Sequence, residues 1–324
     1  MHSHLSGRKQ RVEVNRVFSD WLPVYCGVPQ GSLLGPLLFN IFINDDDTAA
    51  YASNTDISAL ELSLNKDLKN LSSWFASNYL FVNSKKTQAM ILGKHSHEPT
   101  LYIGDTVIKI SGFLNILGVR LDYELSFKDH LSTVLRKIYA KIGALRRLKT
   151  IVPADISLML YEAYILPHLE YCSPLLLGIN KTLNKKLASA NYFALKVLFN
   201  FGNSFNYDSI LSIVNMQSLE HRRYYQSLVL LFKCVKVNGP DYISDSFELR
   251  KLHYNLRNSD HNLIQQSCNN RYYHNSFTYK ASQMWNQLLS YIKGSTDLSE
   301  FRKLLKSFNL SVLRASCKCN YCIS

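Results

Sequence analysis

An α+β chain is the fold class this sequence predicts, with its strands in the first third and helices dominating the rest. Three observations carry that expectation. A loop rich in glycine and proline at 26–36 delivers into an apolar segment, short β-like runs lie between 80 and 121, and long stretches after 127 repeat apolar residues every three or four positions. At 324 residues, 47% hydrophobic and 19% charged, the chain has room for two domains and can bury a core, which excludes wholesale disorder.

The first element is the loop Cys26-Gly27-Val28-Pro29-Gln30-Gly31-Ser32-Leu33-Leu34-Gly35-Pro36. Gly27 and Gly31 permit positive φ and close approach to a bulky partner, Gln30 both donates and accepts hydrogen bonds, and Pro36 suits the first turn of a helix. Ile43-Asn44-Asp45 then abuts Asp46-Asp47-Thr48, three adjacent acids that read most simply as a solvated turn at a helix end. Residues 55–78 place Ile57, Leu60, Leu64, Leu68, Leu71 and Trp74 at helical spacing, with Asn65, Lys66, Asp67, Lys69 and Asn70 opposite, which predicts an amphipathic helix. Strands are expected at 80–82, 89–92, 101–103, 107–110 after the Gly104-Asp105 turn, and 116–121. Lys86, in Val82-Asn83-Ser84-Lys85-Lys86-Thr87, reads structurally as a lysine ending a turn before a strand.

Residues 127–149 are the strongest candidate for nucleic-acid contact. Leu131, Leu135, Ile138, Ile142 and Leu145 form one apolar stripe, while Lys128, Arg136, Lys137, Lys141, Arg146, Arg147 and Lys149 lie elsewhere against a single acid, Asp129. A solvated face ordinarily mixes both signs, so a helix of one sign suits a phosphate backbone. Pro153 opens a further helical stretch to 166, and His168 and Glu170 beyond it read as packing residues at a proline-broken helix end rather than as an acid–base pair. Further helices are expected at 183–199, 219–235, 280–292 and 296–310. Phe277, Tyr279 and Trp285, with Tyr272, Tyr273 and Arg271 nearby, have the chemistry to stack on single-stranded bases, but core packing is the preferred reading of these aromatics.

Lys plus Arg number 37 against 24 Asp plus Glu, and the resulting charge of +13 favours an anionic partner. No apolar run approaches the ~20 residues of a membrane span, and the start lacks the apolar core of a signal peptide, so an intracellular protein, nuclear or cytoplasmic, is expected. Seven cysteines, an odd number, argue for reduced thiols: Cys26, Cys172, Cys234 and Cys268 pack or sit free. Cys317, Cys319 and Cys322 lack a fourth ligand for zinc nearby, which leaves a frayed basic tail as the default.

In their order, the glycine loop, Asp46-Asp47-Thr48, the Val82–Thr87 segment and Leu117-Gly118-Val119 resemble the reverse transcriptases of non-LTR retrotransposons of the jockey and CR1 kind. So do Leu166-Pro167-His168-Leu169-Glu170-Tyr171-Cys172-Ser173-Pro174 and Ser276-Phe277-Thr278-Tyr279-Lys280-Ala281 with Trp285-Asn286, and the likeness runs from 5 to 310. It implies an RNA-directed DNA polymerase, a nucleotidyltransferase of a transposable element. By this resemblance residues 1–122 are partial fingers and palm, 123–175 a thumb-like region with the basic helix, and 176–324 a helical C-terminal region. Gly27, Pro29, Gln30, Gly31 and Ser32 would contact template and nucleotide. Asp46 and Asp47 would hold Mg²⁺, and Lys86 would help protonate the departing pyrophosphate. Lys128, Arg136, Lys137, Lys141, Arg146 and Arg147 would hold the RNA and DNA of a template–primer duplex.

Two departures from the family fall on its carboxylates. The relatives' first metal-binding aspartate sits on a strand well before the glycine loop, whereas the acids ahead of Gly27 here are Glu13 and Asp20, and neither matches it. The strand that should lead into the Asp46-Asp47 turn is also missing, because Asp45 joins Asp46 directly. The expectation is therefore an incomplete palm, truncated at the N-terminus and internally deleted, that does not polymerise. A sequence-independent nucleic-acid-binding remnant and an inert pseudogene product are the alternatives.

Overall fold

A computed structural model describes residues 9–10, 13–14, 17–18, 20–23, 49–78, 80, 82–93, 97–147, 152–202, 204–237, 239–250, 261–265 and 271–314. Its contacts divide the chain into two units, 1–118 and 119–324.

In the first unit, β1 (Lys9–Gln10) pairs antiparallel with β4 (Leu22–Pro23), and β2 (Glu13–Val14) with β3 (Val17–Phe18). The amphipathic pattern at 55–78 becomes α1 (Ile57–Ser77), capped by Asp56, whose side chain accepts from the Ser58 N–H at 3.0 Å. Its Leu68 packs with Leu101 of β5 (Leu101–Ile103) and Ile108 of β6 (Thr106–Ile108), flanked by Leu64, Ala89, Ile103 and Ile110. Asn65, expected on the polar face, ties helix to hairpin instead: Nδ2 donates to the Thr100 carbonyl and Oδ1 accepts from the Tyr102 N–H, both at 2.9 Å. The register Ile103↔Thr106 leaves Gly104-Asp105 as the two-residue loop, with Gly104 at φ 57°, a conformation that glycine adopts without strain.

Three strand expectations are corrected here. Leu80 and Val82 lie outside any strand, and Ala89 contributes only a single bridge to Ile110. The run 116–121 is interrupted: β7 (Phe113–Ile116) ends before Leu117 and Gly118, both at positive φ, and β8 (Val119–Asp122) opens the second unit. Alternating apolar residues carry no mark of a turn, and only Gly118 signalled one.

The second unit is helical and holds two cores. α2 (Lys128–Arg146), α3 (Ala154–Tyr164), α4 (Leu166–Glu170), the 3₁₀ turn Ser173–Gly178, α5 (Lys181–Leu198) and α6 (Tyr207–Ile213) surround the first, which includes Leu131, Ile138, Ile142, Tyr161, Leu187 and Leu195. α7 (Leu219–Phe232) contributes Leu219 to that core and Leu228, Leu231 and Phe232 to the second. After α7 come a π turn (Lys233–Val237), α8 (Asp241–Ser244), α9 (Arg271–His274), α10 (Phe277–Gln287), α11 (Ser290–Lys293), α12 (Leu298–Ser307) and a 3₁₀ turn (Leu310–Arg314). The second core stacks Phe232 on Phe301 at 4.3 Å and Trp285 on Phe301 at 5.8 Å, burying roughly 150–250 Å² per aromatic ring.

Helix starts follow side-chain chemistry. Asn180, Asn206, Ser218, Ser276 and Asp297 each accept a first-turn backbone N–H. The stretch 280–292 is two helices, because the backbone extends at Leu288 and Leu289 and drops Leu288 into the core. Pro167 likewise separates α3 from α4. Gly178 is required by packing, since a Cβ there would stand 2.0 Å from the Asn275 carbonyl oxygen. At the level of a helix-dominated chain with small antiparallel strand pairs, the α+β expectation holds.

Candidate nucleic-acid interface

α2 begins without a cap of its own, because Phe127 sits in the left-handed region at φ 57°. Asp122 fixes the approach to the helix: its carboxylate accepts the N–H groups of Ser126 and Phe127, both at 2.9 Å, while the Ser126 hydroxyl accepts the Lys128 N–H at 3.3 Å. The stripe read from sequence is the buried face, with Leu131, Ile138, Ile142 and Leu145 inside and Leu135 partly so. His130 is buried beside them and its Nδ1 accepts the Arg120 N–H at 3.3 Å, which requires a neutral ring. Burial, and then the Lys137 charge, push its pKa below 6.5.

Lys128, Arg136, Lys137, Arg146 and Arg147 are exposed, so the fold brings these five sequence candidates to the solvent side of one helix. Lys141 differs. Its Nζ donates to the Tyr164 carbonyl at 3.2 Å, meets His168 Nε2 at 2.6 Å and lies 5.6 Å from the centre of the Tyr164 ring. Burial and then the Lys141 and Lys137 charges hold the His168 pKa low, which keeps its lone pair available to that ammonium.

The remaining polar members of the same block are spoken for as well. Glu170 receives Arg222 through two bonds, Nε to Oε1 and Nη2 to Oε2, the second at 3.1 Å, and Ser173 donates to Gln226. His168, Glu170 and Ser173 therefore hold three contacts to α2 and α7, as packing residues at a broken helix would. Cys172 and Cys234 are free thiols, and burial raises the pKa of Cys234.

Lys86 lies in the first unit, exposed on a turn that Asn83 organises by accepting the N–H groups of Lys85, Lys86 and Thr87. Gly27, Pro29, Gln30, Gly31, Ser32, Asp46 and Asp47 lie outside the described residues, as do Cys26, Cys268, Cys317, Cys319 and Cys322. Among the described residues no group of three or more His, Cys, Asp or Glu could hold a metal, and no helix is long and apolar enough to cross a membrane.

Sequence reasoning passed over α5. It packs against α2 and carries Lys181, Lys185, Lys186 and Lys196 with no acid, a composition visible in the sequence but assigned there only to helix periodicity.

Comparison with known proteins gives the chain relatives. It is 23% identical to the RNA-directed DNA polymerase from mobile element jockey of Drosophila melanogaster, over 52% of this chain and 21% of that protein. It is 27% identical to the probable RNA-directed DNA polymerase from transposon BS, covering 45% and 19%, and 24% identical to that from transposon X-element, covering 53% and 21%, both of the same fly. The chain thus spans about a fifth of the length of the curated relatives it matches. No protein-family model and no solved structure matches it. The resemblance to reverse transcriptases of jockey-type non-LTR retrotransposons is borne out over about half the chain.

Proposed function

We propose that this chain derives from the RNA-directed DNA polymerase of a non-LTR retrotransposon and binds RNA and DNA through phosphate contacts along α2, without sequence preference. The observation that carries the reading is the exposed face of α2, where Lys128, Arg136, Lys137, Arg146 and Arg147 face solvent beside one acid, Asp129. Each phosphate neutralised there releases condensed counterions, a driving force that no base edge influences. In this reading residues 1–122 correspond to fingers and palm, 123–175 to a thumb and 176–324 to the helical C-terminal region.

The 324-residue polypeptide, on the same reading, does not polymerise. Asp46 and Asp47 are the acids that would hold Mg²⁺, but Asp45 joins Asp46 directly, without the residues that in the family lead into their turn. A turn that does not fix both acids on the metals forfeits several kcal/mol of transition-state stabilisation. The test is primer extension on RNA and DNA templates with Mg²⁺ and dNTPs. No incorporation is expected; incorporation abolished by Asp46→Ala or Asp47→Ala would overturn the inactive reading while leaving the ancestry intact.

A further inference from the structure

We propose that the joint face of α2 and α5 is a stacking platform for single-stranded nucleic acid, with Tyr139 and Phe193 taking unpaired bases and the surrounding lysines and arginines taking their phosphates. The proposal rests on the nucleic-acid reading above and names the strand form that reading leaves open. Tyr139 on α2 and Phe193 on α5 are 45% and 42% exposed, and their rings meet across the two helices at 5.9 Å with a 52° tilt. Neither belongs to the buried stripe of its helix: Ile138 and Ile142 turn inward on α2, and Ala194 and Leu195 on α5. Two large rings held half in water and in mutual contact leave π-surface open to a third planar group.

The charges are placed to serve such a group. Lys128, Tyr139 and Arg146 are spaced by eleven and seven residues, whole numbers of helical turns, so the tyrosine stands in line between two cations. Lys186 precedes Phe193 by two turns and Lys196 follows it by one, with the Lys196 ammonium 5.7 Å from the Tyr192 ring. α5 has no acid and α2 has only Asp129, so the face does not repel a polyanion. Exposed rings set among cations fit single strands better than duplex, because duplex bases are already stacked on each other and present no free π-face, whereas every unpaired base does.

The full chain is titrated into labelled oligothymidylate and into a blunt duplex of equal length at one salt concentration, read by fluorescence anisotropy. Tyr139→Leu with Phe193→Leu keeps apolar bulk and removes the π-face. It should weaken oligothymidylate binding about tenfold or more, leave the duplex within about twofold, and leave the salt slope unchanged. Tyr139→Phe with Phe193→Tyr should restore single-strand affinity. Equal loss for both nucleic acids, or none for either, overturns the stacking role. Displacement of oligothymidylate by an acidic peptide of equal charge would overturn it in favour of a protein partner. If the leucine pair changes nothing while Arg136→Glu with Lys137→Glu still weakens binding, only the platform fails. If the unaltered chain binds neither nucleic acid, the reading beneath it fails too.

Discussion

At the residue scale, polar groups inside the second unit are held by partners whose loss is measurable. Removing the Glu170 carboxylate strands a partly buried Arg222 guanidinium. Glu170→Ala should therefore lower the unfolding free energy in urea by about 1–3 kcal/mol, with Arg222→Ala adding much less when made second. His130 supplies a pH signature. Its folded-state pKa lies below 6.5 because of burial and Lys137, so the unfolded chain takes up the proton first as pH falls. The stability this ring contributes is fully present above pH 6.5 and drains as pH drops from there towards the lower folded value. Melting temperature should fall over that window, and His130→Asn, whose amide oxygen can still accept the Arg120 N–H, should flatten the decline. His168 and His221 shift in the same direction and will leave a residual slope.

At the element scale, α2 divides its cations between two tasks. Arg136 and Lys137 face solvent, whereas the Lys141 ammonium is engaged by the Tyr164 carbonyl and His168. Arg136→Glu with Lys137→Glu should flatten the dependence of log affinity on log salt by about two phosphate contacts. Lys141→Met should change that slope less and lower the melting temperature more; the opposite ranking would show that Lys141 leaves its internal partners to meet phosphate. The start of α12 is a second case. Asp297 accepts the N–H groups of Ser299 and Glu300 at 2.7 and 2.9 Å, and Asp297→Ala should cost about 1 kcal/mol.

At the scale of the molecule, both large cores lie within 119–324, and α7 joins them. A fragment of those residues should melt cooperatively by circular dichroism and keep salt-dependent binding, since α2 and α5 are both in it. A sloping, non-cooperative trace would mean that the first unit is needed to complete the fold. The Asp45–Asp46 junction makes a separate prediction: transcript sequencing should show the two codons adjacent. A retained in-frame segment leading with Phe-Ala into Asp46 would instead supply the missing strand, and the claim of inactivity would then not apply to that product.

Periodicity and charge in the sequence determined α1, α2, α5, α7 and α12 to within a few residues, the hairpin at Gly104-Asp105, and the kinship that the comparisons bear out. These are local or compositional properties: a stripe every 3.6 residues, a turn that needs positive φ, and a glycine loop all leave marks at short range. Tertiary structure alone decided the rest. No local pattern says that Asn65 bonds the edge of β5 or that His168 faces Lys141, since each partner stands on another element. The break at Leu117-Gly118 was marked only by its glycine, and the one at Leu288-Leu289 was hidden because a leucine pair suits a helix's apolar stripe as well as an extended step, and hydropathy is blind to backbone direction. Tyr139 and Phe193 read singly as two ordinary aromatics on two helices. Only the packing of α2 on α5 brings their rings together, because contacts across the chain depend on which helix faces meet.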